Sequence, residues 1–393
     1  MAKAYHRSSR KTLTIERSLP VAFGYRMPAE WEPHSATWLA WPHYQGDWPG
    51  KFEPIPWVYA EIIRNLAKRE GVGLIVNDAA GARQARKVLE QADALSANIC
   101  FHRWPTNRVW LRDSGCIFLT KGRKDYLGHE NSPEQKDDVG PGPPGQAGRS
   151  SATLALKFQF NAWAKYSNWR HDEKIGSRMA NAAHATEIHP FAAGARIVLE
   201  GGSIDVNGAG TVLTTEECLL SKIQERNPHM ARIHYEKAFA DYLGAPHTIW
   251  LGRGIFGDDT HGHVDDLTRF VSRDTVITMV EPDSKDVNHA PLRANLRRLQ
   301  GARDQNGKQL TVVELPMPQP VVFEGRRLPA SYANFYIANG IVLAPVFNRP
   351  NDRVALNTLA QLFPTREIVP IYSGDFIWGL GAMHCMTQQQ PAR

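Results

Sequence analysis

Hydrophobic and polar positions follow one recurring pattern along the chain. A short apolar run leads into a polar motif, and two segments of alternating character follow around a turn. The pattern occurs in IVLEGGSIDVNGAGTVLTT (197–215), GHVDDLTRFVSRDTVITMV (262–280) and SYANFYIANGIVLAPVF (331–347). Alternation with a period of two is typical of strands, and Asn339-Gly340 is a strong signal for a two-residue hairpin turn. The pattern therefore predicts a series of similar β-hairpins.

Two other segments share part of this pattern. LRDSGCIFLTKG (111–122) begins in the same way, and GLGAMHCMTQQ (379–389) closes the series near the end of the chain. Between the units, apolar residues recur at helical spacing, as in 56–70 and 352–363. The chain is therefore predicted to repeat a unit of two strands and a helix, in an α/β fold.

One polar residue opens each unit, and four of these residues, Asp113, Glu200, His263 and Cys385, are candidates for a shared site. The spacing between successive ones is 87, 63, 71 and 51 residues, and the first gap shortens to about 57 without the segment described next. Repetition at a rough period favours a radial, propeller-like arrangement in which equivalent hairpin starts converge on the axis. The alternative is a two-layer α+β domain. The opening residues are Asp113, Glu200, His263, Asn334 and Cys385.

Two segments differ in composition from the rest of the chain. Ten of the 30 residues in 121–150 are Gly or Pro, and large apolar side chains are scarce there. Such a segment cannot bury enough surface to offset its chain entropy, so we expect a surface insertion loop rather than a domain boundary. Residues 1–20 are basic and are expected to form a flexible tail. The prediction is thus a single catalytic domain over 21–393.

Composition excludes several classes of protein. With 42% hydrophobic residues among 393, the chain is that of a globular protein, and it contains neither an 18-residue apolar run nor a secretory signal. The formal charge of +6 is spread along the chain, so we expect neither a nucleic-acid nor a membrane partner. The four cysteines form no CxxC pair, which argues against a zinc ribbon or disulfide scaffold and suits a reducing cytoplasm. Cys100, Cys116 and Cys218 are expected to be buried and inert.

The densest cluster of ionisable residues is DDTHGHVDD at 258–266. On a strand, the alternation of His261, His263 and Asp265 would place all three on one face. One interpretation is a metal site made by His261, His263 and a carboxylate. The other is a general acid/base, His263, with Asp265 beside it. The residues alone leave both interpretations open.

A further candidate is Cys385, which follows two glycines and precedes a polar segment. A thiolate near a histidine implies covalent catalysis. A cysteine hydrolase needs one carboxylate or amide to orient its histidine, whereas this chain offers Asp113 in RDSG, Glu200 in EGGS and Asp265. Additional carboxylates indicate a cationic substrate, and a planar guanidinium is the cation that paired carboxylates bind best.

These motifs resemble the agmatine deiminase and bacterial peptidylarginine deiminase family, within the guanidine-group modifying superfamily. The resemblance implies the pentein fold, a five-bladed pseudo-symmetric α/β propeller of ββαβ units. It covers almost the whole chain, through MPAEWEPHSATWLAWPH (27–43), WLRDSG (110–115), FNAWAKY (160–166), LEGGSIDVNG (199–208), GDDTHGHVDDLTRFV (257–271), SYANFYIANGIVLAP (331–345) and HCMTQQQP (384–391).

The resemblance also implies roles for particular residues. Cys385 corresponds to the nucleophile and His263 to the general acid/base. Asp113 and Asp265 correspond to the carboxylates that grip the guanidinium. Glu200 corresponds to a third acid beside the substrate nitrogens and the histidine. The last matching residue is Trp110, an aromatic side chain that lines the substrate channel.

The implied reaction belongs to polyamine biosynthesis, on the route to putrescine. Agmatine would be converted to N-carbamoylputrescine and ammonia through a covalent thiouronium on the cysteine. The resemblance implies no metal and no organic cofactor. It also implies a small cationic guanidine as the only partner besides a second copy of the chain in a homodimer.

The chain departs from the family pattern at three places. GLGA replaces a Gly-Gly-Gly-Asn run, so that Leu380 and Ala382 stand where the family has Gly and Asn. WAKY at 163–166 replaces Trp-Gly-Gly-Lys, and the 121–150 insertion is unusual. The substrate tail therefore stays open: arginine, peptidyl-arginine or a specialised arginine derivative are alternatives. An amidinotransferase, a zinc or manganese hydrolase built on His261 and His263, and a non-catalytic binding protein are further alternatives.

Overall fold

A computed structural model describes residues 19–121 and 153–392. Residues 1–18 of the expected tail lie outside this range, whereas Pro20–Phe23 forms a short 3-10 helix. The expected insertion loop also lies outside the described residues, apart from Lys121 at the end of a strand. Among the described residues, no helix combines the length and apolar character needed to cross a membrane.

Within the described residues, four of five sheets share one connectivity. In these four, two strands that follow each other in the chain pair antiparallel, and a connection containing a helix leads to a third strand that pairs parallel to the second. The fifth, closing sheet has the same pairing, but its antiparallel pair joins the C-terminal strand to an N-terminal strand. Three of the sheets contain only these strands. They are the second sheet (Asp205–Val206, Thr211–Thr215, His247–Leu251), the third sheet (Thr268–Phe270, Thr275–Val280, Thr311–Pro316) and the fourth sheet (Tyr336–Ala338, Ile341–Val346, Glu367–Tyr372).

The other two sheets add one strand each to this plan. The first sheet contains Tyr25–Arg26, Ile117–Lys121, Leu154–Leu156 and Thr186–Ile188, and the closing sheet contains Gln388–Pro391, His34–Ala40, Gly71–Val76 and Ile99–Arg103. Two small two-stranded hairpins, Phe191–Ala192 with Ala195–Arg196 and Val322–Phe323 with Arg326–Arg327, lie outside the five sheets.

Helices occupy the connections between the second and third strands of these units. The two predicted helices are confirmed, although the first ends at Leu66, before the predicted residue 70, because the chain must turn into the strand at Gly71. The α-helices are Ile55–Leu66, Ala79–Gln91, Ile175–Ala182, Glu216–Leu220, Arg232–Ala238, His289–Gln300 and Asn351–Leu362, with single turns at Leu111–Ser114 and Met383–Met386. A π-helical turn, Phe239–Leu243, extends Arg232–Ala238. The remaining 3-10 turns are Gln45–Asp47, Asp172–Lys174, Gly201–Ser203, Val264–Asp266 and Phe376–Gly379.

The predicted hairpin at Asn339-Gly340 is confirmed. Ala338 pairs with Ile341, so two residues form the turn, and Gly340 has a φ of 69°. This left-handed conformation costs glycine little and suits the twist of paired strands. The strand that follows, Ile341–Val346, is buried over nearly its whole length, as expected for a strand with a neighbour on each side.

The C-terminal strand is held by the N-terminal part of the chain. Gln388–Pro391 pairs antiparallel with His34–Ala40, and Ala392 N donates to the Pro33 carbonyl at 2.7 Å. The Trp38 indole donates to Gln390 Oε1 at 3.0 Å. These bonds fix the chain immediately after Cys385, so the thiol has the ordered surroundings that a reactive cysteine needs.

The five polar residues that open the predicted units occupy equivalent places in the fold. Each lies two to five residues before the next strand in the chain. The predicted α/β class and the repetition of strand, strand and helix are confirmed. The five residues are Asp113, Glu200, His263, Asn334 and Cys385.

Candidate active site

The structure brings the predicted site residues into one buried cluster around His263. Its Nδ1 lies 3.9 Å from Asp113 Oδ2 and 3.9 Å from Asp265 Oδ1, and its Nε2 lies 3.8 Å from Glu200 Oε2. Cys385 Sγ lies 3.7 Å from Asp265 Oδ2. All five side chains are buried. One imidazole, one thiol and three carboxylates therefore share one small volume, although they come from distant parts of the chain.

Two glycines allow these groups to approach closely. A Cβ at Gly202 would lie 2.5 Å from His263 Nδ1, and one at Gly201 would lie 2.3 Å from the Arg112 carbonyl oxygen. Gly202 N also donates to Asp113 Oδ1 at 3.0 Å. The two glycines of EGGS therefore mark a close approach of the backbone to the site.

The segment 258–266 is not a strand, so the prediction that its alternating residues share a face is wrong. The Asp258 carboxylate accepts hydrogen bonds from Gly262 N at 2.8 Å and His263 N at 3.0 Å, which curls the backbone into a loop. His261 has a φ of 66°, and its ring contacts the Ser221 hydroxyl at 3.0 Å. Among the described residues, no trio of potential metal ligands includes His261. The metal interpretation based on His261 and His263 therefore fails.

Trp163 holds Asp113, a contact that the sequence analysis did not identify. Its indole donates to Asp113 Oδ2 at 2.9 Å. Ala162, Trp163 and Ala164 all have a φ between 52° and 59°, in the left-handed region. Each such residue costs about 1 kcal/mol or more when it is not glycine. The WAKY segment therefore forms a strained turn that directs Trp163 towards the site. It does so without the two glycines that the resemblance implied.

Arg226 was also missed, and it is the partner of Glu200. Its Nε donates to Glu200 Oε1 at 3.2 Å, and both side chains are fully buried. Burial alone would raise the pKa of Glu200, but Arg226 and His263 outweigh it and lower the pKa to about 2. Glu200 is therefore ionised beside His263. In the sequence, the role of Arg226 was indicated only weakly, by an arginine followed by Asn-Pro in a segment between strands.

Asn334, which the sequence analysis named only as a unit opener, contacts the thiol. Its Nδ2 lies 3.0 Å from Cys385 Sγ and 2.9 Å from Asp266 Oδ1. Its Oδ1 accepts from His384 N at 3.0 Å. The amide therefore orients the thiol and the backbone that carries it.

Burial and neighbouring charges set the ionisation of the reacting groups. Burial raises the pKa of the Cys385 thiol well above its usual value, and Asp265, Asp266 and Asp113 act in the same direction. Burial also raises the pKa of Asp113 to about 6, although His263 opposes this shift. For His263, burial lowers the pKa, but Asp113, Cys218 and Glu200 reverse the effect and raise it well above 6.5. The free site therefore holds a thiol and an imidazolium, and a bound cation would favour the thiolate.

A cavity of about 150 Å³ reaches Cys385 and Asp113. Trp110 lines it, as the resemblance implied, and so does Leu380. Leu380 has a φ of 69°, a conformation that favours glycine, the residue that the resemblance implied at this position. Leu380 therefore adds a large apolar side chain to the cavity wall, at a cost in backbone strain.

The outer wall of the cavity contains carboxylates and cations. Arg108 pairs with Asp47, and Lys165 pairs with Asp259. Arg326 lines the cavity too, is exposed, and forms no ion pair within the described part of the chain. The wall thus presents one cation beyond these two pairs.

Two groups of three side chains have metal-ligand spacing. They are Glu200, Cys218 and His263, and Asp265, Asp266 and Cys385, with ligand atoms within 4.8 Å of one another in each group. A basic side chain already contacts each group, Arg226 at Glu200 and His384 at Asp265. These partners already occupy Glu200 Oε1 and Asp265 Oδ2, so they compete with a metal ion for these two oxygens.

Comparison with known proteins gives consistent matches over nearly the full chain. The family model of Porphyromonas-type peptidyl-arginine deiminases matches residues 26–391. An agmatine deiminase of Pseudomonas aeruginosa (strain UCBPP-PA14) is 32% identical over 398 residues, covering 95% of this chain and 98% of its own. One of Ectopseudomonas mendocina (strain ymp) is 32% identical over 403 residues, covering 97% and 99%.

Solved structures show the same similarity. The agmatine deiminase of Enterococcus faecalis has a TM-score of 0.81 at 27% identity, covering 95% of this chain and 98% of that one. A C. jejuni agmatine deiminase, with a cysteine replaced by serine and with substrate bound, has a TM-score of 0.76 at 26% identity, covering 93% and 96%.

Proposed function

We infer the function from one premise: the chain belongs to the Porphyromonas-type peptidyl-arginine deiminase family. Relatives similar to it over nearly their full length are agmatine deiminases. We propose that this protein is a cysteine-dependent hydrolase that converts the guanidine group of agmatine to a ureido group. The products would be N-carbamoylputrescine and ammonia.

One observation carries this proposal. Several buried polar atoms at the centre of the site make no hydrogen bond to any described residue. A planar cation with N–H groups on three nitrogens would supply donors to the carboxylate oxygens. These atoms are Glu200 Oε2, Asp265 Oδ1 and both ring nitrogens of His263.

The first half of the reaction uses the thiol and the imidazolium. Asp113 and Asp265 bind the guanidinium and place its carbon beside Cys385 Sγ. The bound positive charge favours loss of the thiol proton to solvent, and the thiolate attacks the carbon. His263 donates its proton to one nitrogen of the tetrahedral adduct, and ammonia leaves. A thiouronium bonded to Cys385 remains.

The second half hydrolyses this intermediate. His263, now neutral, takes a proton from a water molecule, and the resulting hydroxide adds to the thiouronium carbon. The carbon–sulfur bond then breaks, the remaining hydroxyl proton passes to solvent, and the ureido product leaves. Cys385 is again a thiolate. Glu200, ionised beside His263 Nε2, stabilises the imidazolium that forms in this step.

We also propose that the five sheets form a five-bladed propeller around this site. The support is that each unit-opening residue precedes the first strand of a sheet, and that Asp113, Glu200, His263 and Cys385 come from four different units yet contact one cluster. The roles of the site residues, the homodimer and the cytoplasmic location stay predictions.

A second substrate class is favoured by Arg326. Its exposed guanidinium lines the cavity and could pair with a carboxylate on the substrate tail. Arginine and its derivatives carry such a group, whereas agmatine ends in an amine. If the tail is anionic, Arg326→Ala should raise KM for the carboxylate-bearing guanidine by about tenfold, the loss of one charge-assisted contact. The KM of the Arg326→Ala variant for agmatine should not rise.

The test is a substrate screen with two readouts, ammonia and ureido product. Agmatine, arginine and an arginine-containing peptide would be compared without an amine acceptor. We expect agmatine to have the highest kcat/KM and ammonia to equal ureido product. A requirement for an amine acceptor would instead establish an amidinotransferase. A preference for arginine would overturn the agmatine proposal and support the role of Arg326.

A further inference from the structure

His384 connects two buried carboxylates next to the thiol. Its Nε2 lies 2.9 Å from Glu30 Oε2, and its Nδ1 lies 2.7 Å from Asp265 Oδ2. The same Asp265 oxygen lies 3.7 Å from Cys385 Sγ. The four groups form a continuous series, all buried, from Glu30 to the sulfur.

We propose that His384 is a positioning residue: a doubly protonated imidazole that keeps Asp265 ionised and oriented beside Cys385. An ionised carboxylate only accepts hydrogen bonds, so each ring nitrogen that faces one must donate. An imidazole can donate from both nitrogens only when it carries both protons. The catalytic part of this inference rests on the proposed function, whereas the ionisation of the ring does not.

The charges around the ring agree with this assignment. Arg112 Nη2 lies 3.2 Å from Glu30 Oε2, and Arg269 Nη2 lies 2.9 Å from Glu30 Oε1. Arg269 Nε also lies 3.1 Å from Asp205 Oδ2. Three acids and two arginines thus lie together in this buried region, and a positively charged His384 brings the net charge of these six groups to zero. Buried charges that are not matched in this way are costly. The three acids are Glu30, Asp205 and Asp265.

The opposite side of Asp265 faces the reaction centre. His263 lies 3.9 Å from its Oδ1, the oxygen that makes no hydrogen bond within the described residues. Cys385 Sγ approaches Oδ2, and Asp113 also lies beside His263. Asp266 is the adjacent buried acid and is bonded to Asn334. His384 therefore engages one oxygen of Asp265, Oδ2, and leaves Oδ1 available to a bound guanidinium.

The ionisation of Asp265 depends on this contact. Burial raises its pKa, but the hydrogen bond and charge of His384, with smaller effects of His263 and Arg269, reverse the shift and lower it. Without the His384 ring, the Asp265 carboxyl would face Cys385, Asp113 and Asp266, and much less positive charge would remain beside it. It would then bind a proton more tightly, and a protonated Asp265 cannot hold a guanidinium as an ion pair.

The experiment measures kcat/KM against pH for three variants, with agmatine as substrate. In the wild type, Asp113 sets the acid limb of the profile, because its pKa is raised to about 6. In His384→Gln the pKa of Asp265 should rise above that of Asp113 and move the limb upwards by about one pH unit or more, so that the loss of activity is largest in acid. Glu30→Gln/His384→Gln removes one acid along with the cation and should return the limb towards wild type. Thr387→Val is the control, because among the described residues this buried hydroxyl bonds only the Met383 and His384 carbonyls. It should leave the position of the limb unchanged.

If His384→Gln lowers kcat/KM equally at every pH without shifting the acid limb, the ring only fills space. The same conclusion follows if the acid limb of the double variant does not move back towards the wild-type position. A second measurement does not depend on turnover. Nitrogen-15 NMR of histidine-labelled wild-type enzyme at neutral pH should show His384 with both ring nitrogens protonated, assigned by the signal absent from His384→Gln. If that variant does not fold, the signal absent from Glu30→Gln/His384→Gln provides the assignment. A neutral ring would overturn the proposal even if the enzyme is a deiminase.

Discussion

Replacing Gly202 with alanine tests whether the close approach of the backbone builds the site. The added Cβ would lie 2.5 Å from His263 Nδ1, 3.0 Å from Asp265 Oδ2 and 3.1 Å from Asp113 Oδ1. Ordinary contacts between such atoms are about 3.5 Å. The imidazole must therefore retreat by about 1 Å, or the EGGS backbone must move away and weaken the hydrogen bond from Gly202 N to Asp113.

Both responses misplace groups that touch the substrate. A displacement of about 1 Å in a reacting constellation can lower the rate by about 100-fold, and overpacking a buried site costs about 1–3 kcal/mol of stability. We therefore expect kcat for ammonia release from agmatine to fall by about two orders of magnitude in Gly202→Ala. Chemical denaturation should show a loss of stability within the stated range.

The matched control is Gly301→Ala. Gly301 has a negative φ, and an added Cβ there would meet nothing closer than 3.8 Å. This variant should keep wild-type kcat and change stability by about 0.5 kcal/mol or less. Wild-type activity in Gly202→Ala would refute the argument that the site requires this contact. Equal losses in both variants would show that the effect is not specific to the site.

Two further predictions concern charge. Arg226→Leu should lower the free energy of unfolding by about 3–5 kcal/mol in urea denaturation, because it leaves Glu200 buried without its partner. The control, Arg64→Ala, removes one member of an exposed ion pair and should lower the free energy of unfolding by less than about 1 kcal/mol. Equal losses in the two variants would contradict the role of Arg226. Because the pKa of Asp113 is raised to about 6, kcat/KM should rise as pH increases through 6 and the carboxylate forms. The stability that Asp113 contributes is present below about pH 4 and is lost as pH rises through 6, so Asp113→Asn should gain stability relative to wild type over that interval. A difference in stability that does not depend on pH would contradict the shift.

The sequence predicted the parts of the fold that local rules control. Asn339-Gly340 forms its hairpin because the turn needs a left-handed glycine, and no distant contact is required to specify it. The helix over 352–363 is found at Asn351–Leu362 for a similar reason, since its apolar spacing is visible within one segment. The spacing of polar residues that open each unit also indicated which side chains meet.

The segment 258–266 shows where local pattern fails. Its alternation suggested a strand, but the Asp258 carboxylate binds the backbone N–H groups of Thr260, Gly262 and His263. Such side-chain to backbone bonds compete with strand pairing. Gly262 then permits a φ of 95°. His263 still reaches the site, although from a loop.

The partners of the site residues could not be predicted, because each pair depends on tertiary contact. Arg226 meets Glu200 across 26 residues, and Trp163 meets Asp113 across 50. Nothing in the local sequence of either residue indicates which carboxylate it contacts. Glu30 is more distant still from His384, and only the closing of the chain through the C-terminal strand brings the two together.

The central claim is that Cys385 forms a covalent intermediate with a guanidine substrate. Rapid acid quench during turnover of agmatine, followed by proteolysis and mass spectrometry, measures this directly. The account predicts an amidine-bearing adduct on the peptide that contains Cys385, and in Cys385→Ala no adduct and no ammonia release with the fold retained. An adduct on Cys218 or another cysteine, or turnover in Cys385→Ala, would contradict it.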